Sequence, residues 1–372
     1  MREIELGKVN GANVLWDVEH SPNAHVAVIG SSGSGKSVQA QKIICELIKA
    51  GETVLVMDTH GTFSDDQIFD VYKELIEENL NVVEVYEAGV PCHLFEPITF
   101  ADGTVEHRID TIGAIVDVLG RSLKLGVKQK TALRYAVQSV MDNGTYIEEG
   151  FKALGYALEA GGDKVSLEVH ERMLPLFEHN VFQDGEGFII NNKINVLRLS
   201  KLDLGTQSVV AELVLSHLWR LANAEQFKRK KLFLFIDECQ NMDSSSNGPL
   251  ALMISEGRRM GINLILATQM ILQGTTNSVQ QRISQCGLIL YFKPAANRVG
   301  LTARMINASN EMQWSRVLGE LQVGEFIASG CLMLANRRIT YPIKISSYED
   351  RSGSGTERKN TRGMVFINKG ER

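Results

Sequence analysis

The stretch Gly30-Ser31-Ser32-Gly33-Ser34-Gly35-Lys36-Ser37 has the residue types and spacing of a phosphate-binding loop, G-x-x-x-x-G-K-[ST]. Glycines at 30, 33 and 35 free the backbone to turn successive N–H groups inward around an anion. Lys36 would bring a cation to the β- and γ-phosphates, and the Ser37 hydroxyl would ligate magnesium. Ser32, Ser34 and Val38 complete the expected nucleotide-contacting set. This chemistry is that of ATP binding and hydrolysis.

A second chemical signal is Leu232-Phe233-Leu234-Phe235-Ile236-Asp237-Glu238, an apolar run ending in two carboxylates. An all-apolar strand belongs inside a parallel sheet, and the ligand side of such a sheet lies at its carboxyl ends. Asp237 would hold magnesium there, and Glu238 would act as general base toward the attacking water. A third run, Ile262 to Thr268, ends in Gln269, which could hydrogen-bond the γ-phosphate or the lytic water or simply be a polar strand terminus. Asp58-Thr59-His60-Gly61 closes another apolar strand; His60 could be catalytic or belong to a turn beside the nucleotide.

These residues require elements to position them. Ala24 to Ile29 reads as a short β-strand, and Ser37 to Ala50 as a helix ended by Gly51, which puts the loop at a helix N-terminus where the dipole favours anions. Thr53 to Met57 then completes a right-handed parallel βαβ unit. Val82 to Tyr86 and Ile194 to Leu199 are further strands; Cys286 to Phe292, Gly324 to Ala328, Cys331 to Ala335 and Ile339 to Ile345 supply the rest, the last three as antiparallel additions at the sheet edge. From Thr104 the apolar period becomes helical, with further helical patterns over Gln129 to Met141 and Leu167 to Phe177. The expected organisation is a lead-in over 1–23, an α/β core over 24–103 and 181–347 interrupted by a mostly helical insertion over 104–180, and a flexible tail over 348–372. Arg121, Lys124, Lys128, Lys130 and Arg134 in the insertion form either a DNA-facing patch or a solvated helix face.

The 372 residues carry a formal net charge of −5, so any nucleic-acid contact must be a local patch or an oligomeric channel. Five scattered cysteines without a C-x-x-C pair argue against a zinc site or a disulfide framework and for a reducing cytosol. No apolar run approaches the ~20 residues that cross a bilayer, and Met1 to Glu5 does not open a signal peptide. A soluble, cytoplasmic protein is expected.

Taken together, the phosphate loop, Asp-x-His-Gly after the second strand, Asp237-Glu238, and Gly257-Arg258-Arg259-x-Gly-x-Asn-x-x-x-x-Ala-Thr-Gln269 resemble the HerA and FtsK superfamily of RecA-like motors, which includes conjugative coupling and type IV secretion ATPases. The resemblance implies a RecA-like P-loop fold with a central, mostly parallel sheet, a homohexameric ring with ATP between subunits, Mg2+, and DNA in a central channel read without sequence specificity. It assigns Arg258, with Arg259 as fallback, to the neighbouring subunit's ATP. No barrel, membrane helix or winged helix accompanies these motifs, so a bare motor working with a separate nuclease or other effector is expected. Gln240 to Gly248 and Gln273 to Arg282 are the candidate DNA loops. The leading expectation is an ATP-driven DNA translocase or helicase in DNA processing, mobile-element transfer or phage defence. A nucleotide-gated ring that assembles and controls a partner enzyme, and a secretion or conjugation ATPase, stand as alternatives.

Overall fold

Asn10 and Gly11, both at positive φ (49° and 82°), close the tight Asn-Gly turn that suits the twist of a two-stranded hairpin. That turn joins β1 (Glu3–Val9) to β2 (Ala12–Asp17). The fully buried β3 (Val26–Ile29) feeds the glycine loop, and α1 (Lys36–Lys49) leaves it. β4 (Thr53–Asp58), α2 (Asp70–Asn79), β5 (Leu80–Glu84), a helical turn α3 (Val85–Ala88) and the two-residue β6 (Val90–Pro91) follow. Five helices come next: α4 (Arg108–Ser122), α5 (Val127–Asn143), α6 (Tyr146–Glu149), α7 (Lys152–Gly161) and α8 (Lys164–Glu178). The chain continues through β7 (Phe182–Gln183), β8 (Ile194–Arg198), α9 (Leu204–Asn223), β9 (Leu232–Ile236), α10 (Pro249–Met260) and β10 (Ile262–Thr268). It ends with β11 (Leu288–Phe292), α11 (Val299–Asn307), α12 (Glu311–Glu320), β12 (Glu325–Gly330), β13 (Leu332–Leu334), β14 (Arg337–Ile339) and β15 (Ile343–Ser346). The computed structural model describes residues 3–347 except 65, 186, 244, 246, 247 and 270–281.

The described residues fall into two compact units, 3–46 with 267–269 and 283–347, and 47–266 with 282. In the first, the strands run in the order β14-β13-β2-β1-β15-β12-β11-β3, and only β11 and β3 are parallel. The N-terminal hairpin is built into this sheet through β1–β15 and β2–β13 pairs. Gln39 anchors α1 within the unit: its amide donates to the Leu6 carbonyl at 2.9 Å and its oxygen accepts from Ser347 Oγ at 2.5 Å. Both bonds are shielded from water, since Gln39 is fully buried.

The second unit is a five-stranded, all-parallel sheet in the order β10-β9-β4-β8-β5. β4, β9 and β10 are buried at every residue, as strands covered on both faces must be. The α4 to α8 helices pack on one another, with Phe151 touching Phe95, Phe177 and Phe182 at ring separations of 5.6–6.0 Å. Arg220 of α9, 8% exposed, ties the connection before α4 to α9: it pairs with the Glu106 carboxylate and donates to the Leu94 and Glu96 carbonyls.

The fold is therefore α/β, with a parallel sheet and an antiparallel C-terminal edge, as the sequence implies. Two strand boundaries differ. The run Val82 to Tyr86 leaves the sheet after Glu84 and closes one helical turn on Gly89, which sits at a positive φ of 65° and donates its N–H to the Val85 carbonyl. The run Ile339 to Ile345 is two strands, because Pro342 has no N–H for a ladder and falls in the break between β14 and β15.

Candidate nucleotide-binding site

In the first unit, the loop after β3 is shaped by its own backbone. Gly33 and Gly35 sit at φ of 72° and 104°, a region closed to most side chains. A Cβ on Gly30 would lie 2.5 Å from Phe292 Cβ, and one on Gly35 3.0 Å from the Gly324 nitrogen. Neighbouring strands grip the loop from outside: Ser31 N–H and Oγ both donate to the Lys293 carbonyl, at 2.9 and 2.8 Å, and Gly324 N–H donates to the Ser34 carbonyl at 3.0 Å. Gly30 N–H donates to the Thr268 carbonyl at 3.2 Å, so Gln269 follows directly on the strand end bonded to the start of the loop.

Lys36 and Ser37 fall in the first turn of α1, where helix N–H groups lack intrahelical partners and the dipole favours an anion. Lys36 is 7% exposed, and its ammonium donates to the Ser31 carbonyl at 2.9 Å, inside the span of the loop. Ser32, Gly33 and Ser37 are exposed, whereas Ser34 and Val38 are buried and form the loop's floor. Ser34 Oγ also bonds to the Ser31 carbonyl, at 2.8 Å. The arrangement can hold a triphosphate by main-chain donors and one ammonium.

In the second unit, β9 carries Asp237 and Glu238 past its buried end. Asp237 Oδ1 accepts the N–H of Glu238 at 2.9 Å, and the Glu238 carboxylate accepts from the Gln240 amide. Glu238 has φ 49° and ψ 46°, the left-handed region that a residue with a Cβ enters at a cost of about 1–2 kcal/mol. Arg258 and Arg259 lie exposed in the last turn of α10, and Arg259 pairs with Glu256 at 3.0 Å. Asp58 is 1% exposed and accepts the N–H groups of Thr62 and Phe63, which makes it the organiser of the turn after β4. His60 is exposed, with Nδ1 2.8 Å from Thr59 Oγ1.

Several participants carry no motif. Phe292, Lys293 and Gly324 brace the loop from positions with no recognisable spacing to it. Glu212 of α9, 2% exposed, accepts the Asp243 N–H at 2.6 Å, and the Asp243 carboxylate pairs with Arg121 of α4 at 3.1 Å. Burial, assisted by repulsion from Asp243, pushes the Glu212 carboxyl up to about 7 against the pull of that N–H bond and Arg121. Arg121 is thus engaged within the protein rather than being one of five equivalent surface cations, and Lys130 lies along Gly120. Of the two candidate DNA loops, the first is described apart from 244, 246 and 247, with Asp243 turned onto Glu212 and Ser245. The second lies outside the described residues except Arg282, which donates to the Ala251 carbonyl. Among the described residues, no helix is long and apolar enough to cross a membrane.

The model of a family described as "Helicase HerA, central domain" matches residues 4–218, more than half of the chain. The DNA double-strand break repair helicase HerA of Sulfolobus acidocaldarius is 24% identical over 375 aligned positions, covering 95% of this chain and 71% of the relative. Among solved structures, VirB4 of Thermoanaerobacter pseudethanolicus superposes with a TM-score of 0.65 at 15% identity, covering 92% of this chain and 95% of that one. The plasmid coupling protein TrwB in complex with ADP and Mg2+ gives a TM-score of 0.57 at 12% identity, covering 87% of this chain and 85% of that one.

Proposed function

Because the chain belongs to the HerA helicase central-domain family, we propose that it is an ATP-hydrolysing DNA translocase that works as a homohexameric ring. The observation that carries this is the loop Gly30–Ser37: a phosphate cradle of positive-φ glycines, braced by Phe292, Lys293 and Gly324, opening directly onto the first turn of α1. A relative at 24% identity that is a DNA double-strand break repair helicase supports DNA as the track.

In this reading Gly30 to Ser37 bind the triphosphate, with Lys36 shielded enough to act as an undiluted charge on the β- and γ-phosphates. The donor chemistry of Ser37 and Asp237, a hydroxyl and a carboxylate, suits Mg2+, a hard cation that takes oxygen ligands. When bound, Mg2+ neutralises charge developing on the phosphoryl oxygens. Glu238 accepts the proton of the attacking water, oriented by the turn that fixes its backbone and by Gln240. Gln269 hydrogen-bonds the γ-phosphate or that water, and Arg258 of an adjacent subunit supplies the transition-state cation that arrives only when subunits close. DNA passes through the ring without base readout, and a separate nuclease or effector acts on what the motor delivers.

The decisive experiment measures ATP turnover of the assembled protein with and without duplex DNA, alongside its solution mass with and without a non-hydrolysable ATP analogue. Turnover that rises with DNA, in a particle of six chains, is the expected result. Turnover indifferent to every form of DNA would sink translocation, and a monomer under every condition would sink the shared site.

A further inference from the structure

We propose a second, separate cation site at the neck of the helical region, formed by His93, Glu96 and Asp184 and taking a first-row divalent transition metal. It is independent of the ATPase reading and lies wholly within the second unit.

The nitrogen and oxygen donors of these three side chains all lie within 4.8 Å of one another. His93 Nδ1 is 2.7 Å from Asp184 Oδ1 and 3.7 Å from Glu96 Oε2. Adjacent ligands around a metal with bonds of about 2.1 Å stand roughly 3.0–3.4 Å apart, so the closer pair must open, and the wider pair close, by about half an ångström. All three residues are partly exposed and can make these shifts.

The backbone beneath the donors is already fixed. His93 and Glu96 share one turn, closed by the Glu96 N–H bond to the His93 carbonyl at 3.2 Å, and Arg220 holds the Leu94 and Glu96 carbonyls from below. Asp184 is brought alongside by the β6–β7 ladder, by the Cys92 N–H bond to the Gln183 carbonyl at 3.0 Å, and by Gly185, where a Cβ would meet Pro91 at 3.0 Å. Tyr146 of α6 donates its hydroxyl to Glu96 Oε1 at 3.2 Å, the kind of outer partner that orients a ligating carboxylate.

Charge points the same way. Among the described residues neither carboxylate pairs with a lysine or arginine; both converge on one imidazole. Arg220, the cation beneath the turn, is committed to Glu106. One turn before Arg220 on α9 lies His217, 7% exposed, whose Nδ1 has no hydrogen-bond partner and which interacts electrostatically with His93. A mixed imidazole and carboxylate set matches Zn2+ or Mn2+ better than Mg2+, which prefers oxygen alone.

Position gives the site a role. β6 precedes the five helices and β7 follows them, so a metal joining His93 and Glu96 to Asp184 clasps the two ends of the helical region. Because binding favours the folded neck, the metal stabilises it by mass action.

The test uses the full-length, nucleotide-free protein carrying Lys36→Ala and Asp237→Asn, which remove the proposed nucleotide and Mg2+ ligands. Zn2+ and Mn2+ are each titrated by equilibrium dialysis with metal analysis and by thermal melting, with Mg2+ for comparison. One Zn2+ or Mn2+ per chain is expected, with a rise in melting temperature that Mg2+ does not reproduce. Asp184→Asn and Glu96→Gln, which preserve shape, are each expected to weaken binding at least about tenfold while leaving the metal-free melt in place, and Tyr146→Phe to weaken it less. Unchanged stoichiometry and affinity in both carboxylate variants, or no binding at about 100 μM metal, roughly a −5.5 kcal/mol threshold, overturns the proposal. His93→Gln adds a third arm; if it fails to fold, the two carboxylate variants decide.

Discussion

The Thr268 carbonyl accepts a hydrogen bond from the Gly30 N–H at 3.2 Å, which fixes the end of one strand to the first residue of the phosphate loop. Gly30 cannot yield, because Phe292 Cβ stands where its own Cβ would be, at 2.5 Å. Gly30→Ala should therefore push the loop off Thr268, with an overpacking cost of about 1–3 kcal/mol and a clear loss of nucleotide affinity. Gly33→Ala, with nothing within 4 Å but φ at 72°, should cost about 1–2 kcal/mol through backbone strain alone. Thermal melts and titration with a fluorescent ATP analogue separate the two; equal effects would contradict the packing argument.

Lys36→Ala should abolish ATP binding while barely moving the melt of the nucleotide-free protein. The Ser31 carbonyl that Lys36 satisfies keeps Ser34 Oγ at 2.8 Å, so no acceptor is stranded. Losing a charge-assisted contact to phosphate costs about 2–5 kcal/mol, a drop in affinity of 30-fold or more. A variant that binds ATP normally would remove Lys36 from the site.

For Glu238 the backbone and the carboxylate can be tested apart. Glu238→Gln should keep ATP binding and lower turnover by about 10²–10⁴. Glu238→Gly should lower turnover as far yet recover about 1 kcal/mol of strain at φ 49°, offset by the entropy a glycine loses on folding. Turnover above a tenth of wild type in Glu238→Gln would assign the base elsewhere.

Arg258 is exposed at the end of α10, and the proposed ring assigns it to the ATP of an adjacent subunit. Arg258→Ala should lower turnover by roughly 10³ with ATP affinity largely kept. Mixed one to one with Glu238→Gln, it should recover activity, since some interfaces then combine an intact Glu238 with an intact Arg258. No recovery on mixing, in rings shown to exchange subunits, would make the arginine's role internal to one chain. Arg259, paired to Glu256, serves as the control.

Glu212 predicts a pH dependence. Its carboxyl is raised from 4.5 to about 7 in the folded protein, so the fold binds this proton more tightly than the unfolded chain does. The stabilisation is full below about pH 4.5 and is lost as pH rises through 7, on the order of 3 kcal/mol in all. His217, lowered to about 3 by burial, works oppositely, costing stability as pH falls below its ordinary value of 6.5. Comparing wild type with Glu212→Gln between pH 6 and 8.5 isolates the first effect: the variant should gain relative stability as pH rises. Parallel curves would mean that Glu212 does not titrate in this window.

How much could be read without coordinates follows from where each constraint lives. The phosphate loop, the buried strands β4, β9 and β10, and the helical period after Thr104 are local patterns, and the structure shows the corresponding elements at those positions. The place of Asp237 and Glu238 directly after a buried parallel strand was legible because an all-apolar run must be covered on both faces. The left-handed turn at Glu238 was not, since its sequence, Asp-Glu-Cys-Gln, carries no glycine to mark it.

By itself the sequence determined the chemistry on offer: a loop only glycines can shape, a cation and hydroxyl at a helix start, and carboxylates at a strand end. Those depend on residues within a turn or two of one another, where covalent geometry limits the choices. Only tertiary structure decided what supports them. Phe292 and Gly324 brace Gly30 and Gly35, Arg121 reaches Asp243, and Asp184 is carried to His93 across ninety-one residues. Such partners are chosen by the folding of distant segments into contact, which no local spacing encodes.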